Sequence, residues 1–187
     1  IQKQADISVA CIEVPVEEAK DFGVLGIDED ENIISFVEKP QNPPTIPGNS
    51  ERSLASMGIY IFNAKMLSEN LASDAFNKLS SHDFGKDIIP SSIGSHKIVA
   101  HPFARSSIQN VNYDEPYWRD VGTLSAYWQA NIDLTKLLPR LDLYDDSWPI
   151  RTVHYQRAAA KFNYNHKERL GTAINSVVSA GCIVSGS

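Results

Sequence analysis

The sequence predicts an α/β domain followed by the opening of a β-solenoid, and three observations carry that reading. Runs of β-branched and apolar residues recur before turn signals, at Ile7 to Val14, Gly23 to Ile27, Ile33 to Glu38, Leu54 to Phe62 and Lys97 to Phe103. Between and after them lie segments with helical spacing, above all Ala64 to Leu79 and Thr123 to Leu138. In the tail, Val177-Val178 and Ile183-Val184 stand six residues apart with small residues between them, the period of a parallel β-helix coil, although the pattern alone equally suits an irregular pair of strands.

Composition bounds what such a chain does. With 187 residues, 42% of them hydrophobic and 21% charged, there is material for one good core and a small appendage. A net charge of −6 and a pI near 5.3, with no Lys/Arg cluster, argue against tracking a nucleic-acid backbone, which needs a basic face to displace counterions. Cys11 and Cys182 both sit in apolar, strand-like contexts, so the expectation is two buried, reduced thiols and a reducing compartment. No signal peptide and no apolar run approaching a membrane span is visible, so neither secretion nor membrane insertion is expected.

Taken in order, the first strand ends before Pro15, and Val16 to Lys20 has room for one helical turn. The acidic knot Asp28-Glu29-Asp30-Glu31-Asn32 reads as a hairpin turn, because it lacks the glycine and spaced oxygens of a calcium loop. Four prolines and a glycine make Pro40 to Arg52 an irregular surface loop. Gly58, inside the next strand, suggests close approach by another group, and Asn63 closes that strand. Met66, Leu67, Leu71 and Phe76 form the apolar face of the following helix. A shorter helix around Asp87-Ile88-Ile89 is expected to end at Pro90, and Thr123 is the natural N-cap of the long helix with Leu124, Tyr127, Trp128 and Ile132. From Pro139 onward the texture is turn-rich, and Tyr155 to Glu168 is polar and irregular. A domain boundary is therefore placed at about residue 145, giving units 1–145 and 146–187.

The stretch with chemical promise is Phe36-Val37-Glu38-Lys39-Pro40, where an apolar strand delivers a carboxylate and an ammonium and then stops at a proline. Carboxyl ends of strands are where open α/β sheets hold ligands. Together with Ala55-Ser56-Met57-Gly58-Ile59-Tyr60, Ser81-His82-Asp83-Phe84-Gly85-Lys86-Asp87, Glu115-Pro116-Tyr117-Trp118-Arg119-Asp120-Val121-Gly122-Thr123 and Trp148-Pro149-Ile150-Arg151-Thr152, it resembles the bacterial glucose-1-phosphate adenylyltransferases over essentially the whole chain. The Glu-Lys-Pro element alone is shared with many sugar nucleotidyltransferases; the combination is specific.

That resemblance implies part of a Rossmann-like nucleotidyltransferase domain with a mixed sheet, followed by the beginning of a left-handed parallel β-helix. It further implies a cytoplasmic, allosteric homotetramer that makes ADP-glucose and pyrophosphate from ATP and glucose 1-phosphate for glycogen synthesis, with Mg²⁺ as cofactor and neither membrane nor nucleic acid as partner. Two catalytic residues are implied: Lys39, which holds the sugar phosphate, and Asp120, which holds the metal. Gly23, Glu38, Ser56, Tyr60, Asp83, Phe84 and Trp118 are implied around the sugar.

Each assignment has a plain counterpart. Phe84 and Trp118 also read as core aromatics, His82 as a surface or capping residue, Asp83 as a helix N-cap, Asp120 as a turn cap and Arg119 as an ion-pair partner. The family's glycine-rich, arginine-bearing nucleotide loop and its other metal-binding aspartate have no counterpart here, so this polypeptide by itself is expected to be inactive. The rival reading is a non-catalytic sugar-phosphate-binding or assembly subunit of the same fold.

Overall fold

A computed structural model describes residues 4–106, 116–146, 149–153, 155–164 and 170–186. Glu115, Trp148 and Glu168, which figure in the segments above, lie outside the described residues. By its packing the chain divides into two compact units, residues 1–107 and 108–187.

The first unit is built on a five-stranded mixed sheet in the order β3-β2-β4-β1-β5. Its strands are β1 (Ile7–Pro15), β2 (Gly23–Ile27), β3 (Ile33–Glu38), β4 (Arg52–Phe62) and β5 (Ile98–Pro102). β1 is central: it pairs antiparallel with β4, Ile7 opposite Phe62, and parallel with β5, Ile7 opposite Ile98. A strand with neighbours on both sides buries its apolar residues, and Ile7, Val9 and Cys11 are fully enclosed. They share a core with Leu25, Phe36, Leu54, Met66, Ile89 and Ile98, while Val14, Ala19, Val24 and Ala55 form a second, smaller cluster.

The one-turn helix α1 (Val16–Ala19) falls where expected, and in the acidic turn Asp28 accepts from the backbone N–H groups of Asp30 (3.0 Å) and Asn32 (2.8 Å). Gly58 departs from expectation. A Cβ there would meet nothing within 4 Å, but its φ is +70°. Conformation, not crowding, selects glycine: the register with β1 slips here, Val9 facing Tyr60 and Cys11 facing Ser56, so β4 bulges.

Asn63 caps the helix that follows, its side chain accepting from the N–H groups of Lys65 (3.1 Å) and Met66 (3.3 Å). That helix, α2 (Ala64–Ala75), stops short of the predicted end, and of its predicted apolar face Met66 is buried whereas Phe76 is 88% exposed beyond the last turn. Pro90 does not end the next helix either. A π-turn, Phe84–Ile88, runs into α3 (Ile89–Ser92), and Pro90 sits in the first turn, where a missing N–H costs nothing.

In the second unit, α4 (Leu124–Asp133) is capped by Thr123, whose hydroxyl accepts from Ala126 N–H at 3.1 Å. It ends five residues before the predicted Leu138 and buries none of its side chains. In the tail, β6 (Lys161–Phe162) pairs parallel with β7 (Ile183–Val184), the pairing that stacked coils of a parallel β-helix use. Val177-Val178 form no strand, which corrects half of the six-residue pattern, and Cys182 is exposed rather than buried. Among the described residues no helix is long and apolar enough to cross a membrane.

Candidate functional site

The hairpin of β2 and β3 sets the first part of the site. Its register places Gly23 opposite Glu38 and Leu25 opposite Phe36, so Glu38 and Phe36 share a face with Gly23. Because Gly23 has no side chain, Glu38 lies across its backbone: a Cβ there would fall 2.9 Å from Glu38 Oε2 and 2.9 Å from the Phe36 ring. Lys39 leaves the strand in the left-handed region, φ +48°, and its N–H donates to the Phe22 carbonyl at 2.9 Å. A non-glycine residue in that conformation persists only where its surroundings fix it. Glu38 and Lys39 are exposed, and the following Pro40 is buried as an anchor.

The bulged strand β4 supplies Ser56 and Tyr60, whose hydroxyls lie 3.4 Å apart, and the Ser56 Oγ also accepts from Gly58 N–H at 3.3 Å. Tyr60 joins Phe62 and Phe84 in an aromatic cluster with ring centroids 5.5–6.1 Å apart. The predicted N-cap role of Asp83 is real: one carboxylate oxygen accepts from Gly85 N–H (2.8 Å) and Lys86 N–H (2.9 Å). His82, left-handed at φ +59°, pairs with Asp74 at 2.6 Å, which makes it a surface residue in an ion-pair geometry.

Gly23, Glu38, Lys39, Ser56, Tyr60, Asp83 and Phe84 thus all belong to the first unit. Direct contacts join Gly23 to Glu38, Ser56 to Tyr60, and Tyr60 to Phe84. Phe36, which the sequence reading passed over, touches both Gly23 and Gly85 and so connects the hairpin to the Asp83 loop. Its signal was available as the aromatic residue two positions before Glu38 on the same strand face.

Trp118 and Asp120 belong to the second unit. Trp118 is half-buried and lines a cavity of about 430 Å³ with Tyr117, Arg119, Leu134 and Arg140. Arg119 is bound to Asp133, the ion-pair alternative for that residue. Asp133 also accepts from Lys136 (2.6 Å) and Gln129 (3.0 Å), and these contacts, Lys136 foremost, draw its carboxyl down to about 2. Asp120 is exposed and accepts from Gly122 N–H at 3.2 Å. Among the described residues no three His, Cys, Asp or Glu side chains group to hold a metal ion. One accessible carboxylate nevertheless fits Mg²⁺, which takes one or two protein carboxylates and completes its shell with water and phosphate oxygens. A larger cavity of about 590 Å³, lined by Asn70, Asp74, Lys86, Asp87 and Ser91 among others, involves none of the predicted residues.

A model of the nucleotidyl transferase family matches residues 1–137, and a GlmU-like C-terminal hexapeptide model matches 158–187. Proteins named glucose-1-phosphate adenylyltransferase are similar along the chain. The one from Rhodospirillum rubrum is 58% identical over 186 residues, covering 100% of this chain and 44% of its own length. Those from Dechloromonas aromatica and Paramagnetospirillum magneticum are 53% and 55% identical, covering 100% and 97% of this chain and 42% of each relative. The chain therefore spans less than half the length of the curated relatives it matches. A nucleotidyl transferase match over most of the chain, a mixed α/β sheet and a hexapeptide segment beginning a β-helix lead to one conclusion: the chain belongs to the nucleotidyl transferase family.

Proposed function

We propose that these residues form the sugar-phosphate part of a glucose-1-phosphate adenylyltransferase, acting within a polypeptide of the relatives' length. A phosphate oxygen of glucose 1-phosphate attacks the α-phosphorus of ATP. The bond from that phosphorus to the bridging oxygen of the β-phosphate breaks, and ADP-glucose and pyrophosphate result. The observation that carries the reading is the β2–β3 register, which lays Glu38 over the bare backbone of Gly23 and leaves the Lys39 ammonium exposed beside it. The names of relatives 53–58% identical over the whole chain support the same chemistry.

In this reading Lys39 receives the sugar phosphate as a compact point charge, and Glu38 accepts hydrogen bonds from hexose hydroxyls. Gly23 lets the Glu38 carboxylate lie across its backbone beside the sugar, Ser56 and Tyr60 present hydroxyls, and Phe84 and Trp118 offer apolar faces to its C–H surface. Asp83 caps its turn through one oxygen and takes a hydroxyl on the other. Asp120 holds Mg²⁺, which when bound neutralises phosphate charge and orients the reacting oxygens. The catalytic domain extends to about residue 145 and the left-handed β-helix follows, in a cytoplasmic, allosterically regulated homotetramer serving glycogen synthesis.

The test is pyrophosphate release from ATP by a polypeptide of the relatives' length carrying these 187 residues. Release is expected only with glucose 1-phosphate and Mg²⁺ both present, with ADP-glucose as the second product. Binding of glucose 1-phosphate without release would instead support the non-catalytic subunit.

A further inference from the structure

Gly23 and Gly85 pose a question that backbone conformation does not answer. Neither has the positive φ that usually selects glycine; those found at glycine belong to Gly48, Gly58, Gly94 and Gly181. What the two share is the ring of Phe36. A Cβ on Gly23 would lie 2.9 Å from that ring and one on Gly85 would lie 3.3 Å from it, tighter than ordinary packing allows. Phe36 is buried, only 8% exposed.

Each glycine also adjoins one of the polar residues assigned to the sugar. The Gly23 position lies 2.9 Å from Glu38 Oε2 by the same Cβ measure, and Gly85 N–H is one of the two donors that hold Asp83. On the Gly85 side the added carbon would stand 3.4 Å from Asp83 Oδ1. Both glycines meet the same edge of the ring, Cε1 and Cζ, so the tip of Phe36 stands between the hairpin that carries Glu38 and the turn that carries Asp83.

We propose that Phe36 is a positioning residue: its ring sets the separation between Glu38 and Asp83, and Gly23 and Gly85 are the two bare backbones on which it rests. The inference deepens the functional reading and rests on it. A positioning role predicts complementarity of volume, whereas a plain core role predicts only loss of stability. Phe36→Leu removes the Cε1–Cζ edge that meets both glycines, and Gly85→Ala supplies a methyl group on one side of the gap.

The experiment compares Phe36→Leu, Gly85→Ala and the double variant in a polypeptide of the relatives' length, reading KM for glucose 1-phosphate, KM for ATP and Tm. Each single change is expected to raise KM for glucose 1-phosphate about tenfold while KM for ATP stays within about twofold. The double variant is expected to return to within about threefold of the parent. A double variant no better than the worse single one, or an equal rise in KM for ATP, overturns the proposal. So does a fall in Tm with KM for glucose 1-phosphate unchanged. Should Phe36→Leu not fold, Gly85→Ala decides by the same two KM values. Lys39→Ala in the same series separates the two levels of argument. No rise in its KM for glucose 1-phosphate defeats the functional reading, and a rise without compensation at Phe36 and Gly85 defeats this inference alone.

Discussion

The two units solve the burial problem differently. In residues 1–107 the strand β1 is paired along both edges, Ile7 facing Phe62 on one side and Ile98 on the other, and a core of wholly enclosed side chains results. In residues 108–187 the longest described element, α4, encloses none of its side chains, and the strands β6 and β7 are two residues each. Long-range pairing multiplies contacts per residue, while a single solenoid coil leaves its faces for stacking neighbours. The lesson concerns function as well: seven of the nine proposed site residues stand on the sheet unit, where register and packing fix backbone geometry.

The comparison is broken most forcefully by truncating one apolar residue in each unit. Ile89→Ala, at a fully enclosed position, is expected to cost about 2–5 kcal/mol in urea unfolding. Leu124→Ala, at a position 89% exposed, is expected to cost no more than ~0.5 kcal/mol. Equal losses would mean that α4 is buried after all. The two thiols give a second contrast. Burial pushes the Cys11 thiol up to about 12, whereas Cys182 is exposed. Alkylation of the native chain, followed by peptide mapping, should label Cys182 about a hundredfold faster than Cys11. A comparable rate at Cys11 would show that the sheet opens readily.

Smaller effects sharpen the picture within the second unit. Thr123→Ala removes the hydroxyl that accepts from Ala126 N–H and should cost about 1 kcal/mol, read as faster amide exchange in the first turn of α4. Asp133 tests the ion pairs by pH. Its folded carboxyl titrates near 2, held down first by Lys136, then by Gln129 and Arg119, against about 3.9 in an unfolded chain. Its stabilisation is complete above the unfolded value and disappears as pH falls through the folded one. Asp133→Asn should therefore destabilise at pH 5 and converge with the parent near pH 2; a gap that persists there would trace to packing instead of charge.

Much of the sheet was legible because β-branched runs bounded by proline and glycine leave few alternatives, and all five long strands lie where those runs lie. Errors fell where a local signal has two physical causes. Glycine at position 58 marks a positive φ as readily as a close contact, and a proline at position 90 opens a helical turn as readily as it ends one. The apolar spacing of Phe76 is helical although the helix stops at Ala75, since periodicity does not report where a helix frays. Cys182 sits in apolar sequence yet is exposed, because neighbours in sequence do not specify neighbours in space. The candidate site was nameable from motifs; Phe36 could be placed on the Glu38 face from its spacing, but not against Gly23 and Gly85, which stand sixty-two positions apart and are brought together only by the fold.

The central claim is that the end of the β2–β3 hairpin receives a sugar phosphate, and the most direct measurement of it is the KM for glucose 1-phosphate in Lys39→Ala, made in a polypeptide of the relatives' length. Loss of a cation from a phosphate contact should raise that constant about a hundredfold, with KM for ATP little changed. An unaltered KM for glucose 1-phosphate in a folded Lys39→Ala protein would contradict the account.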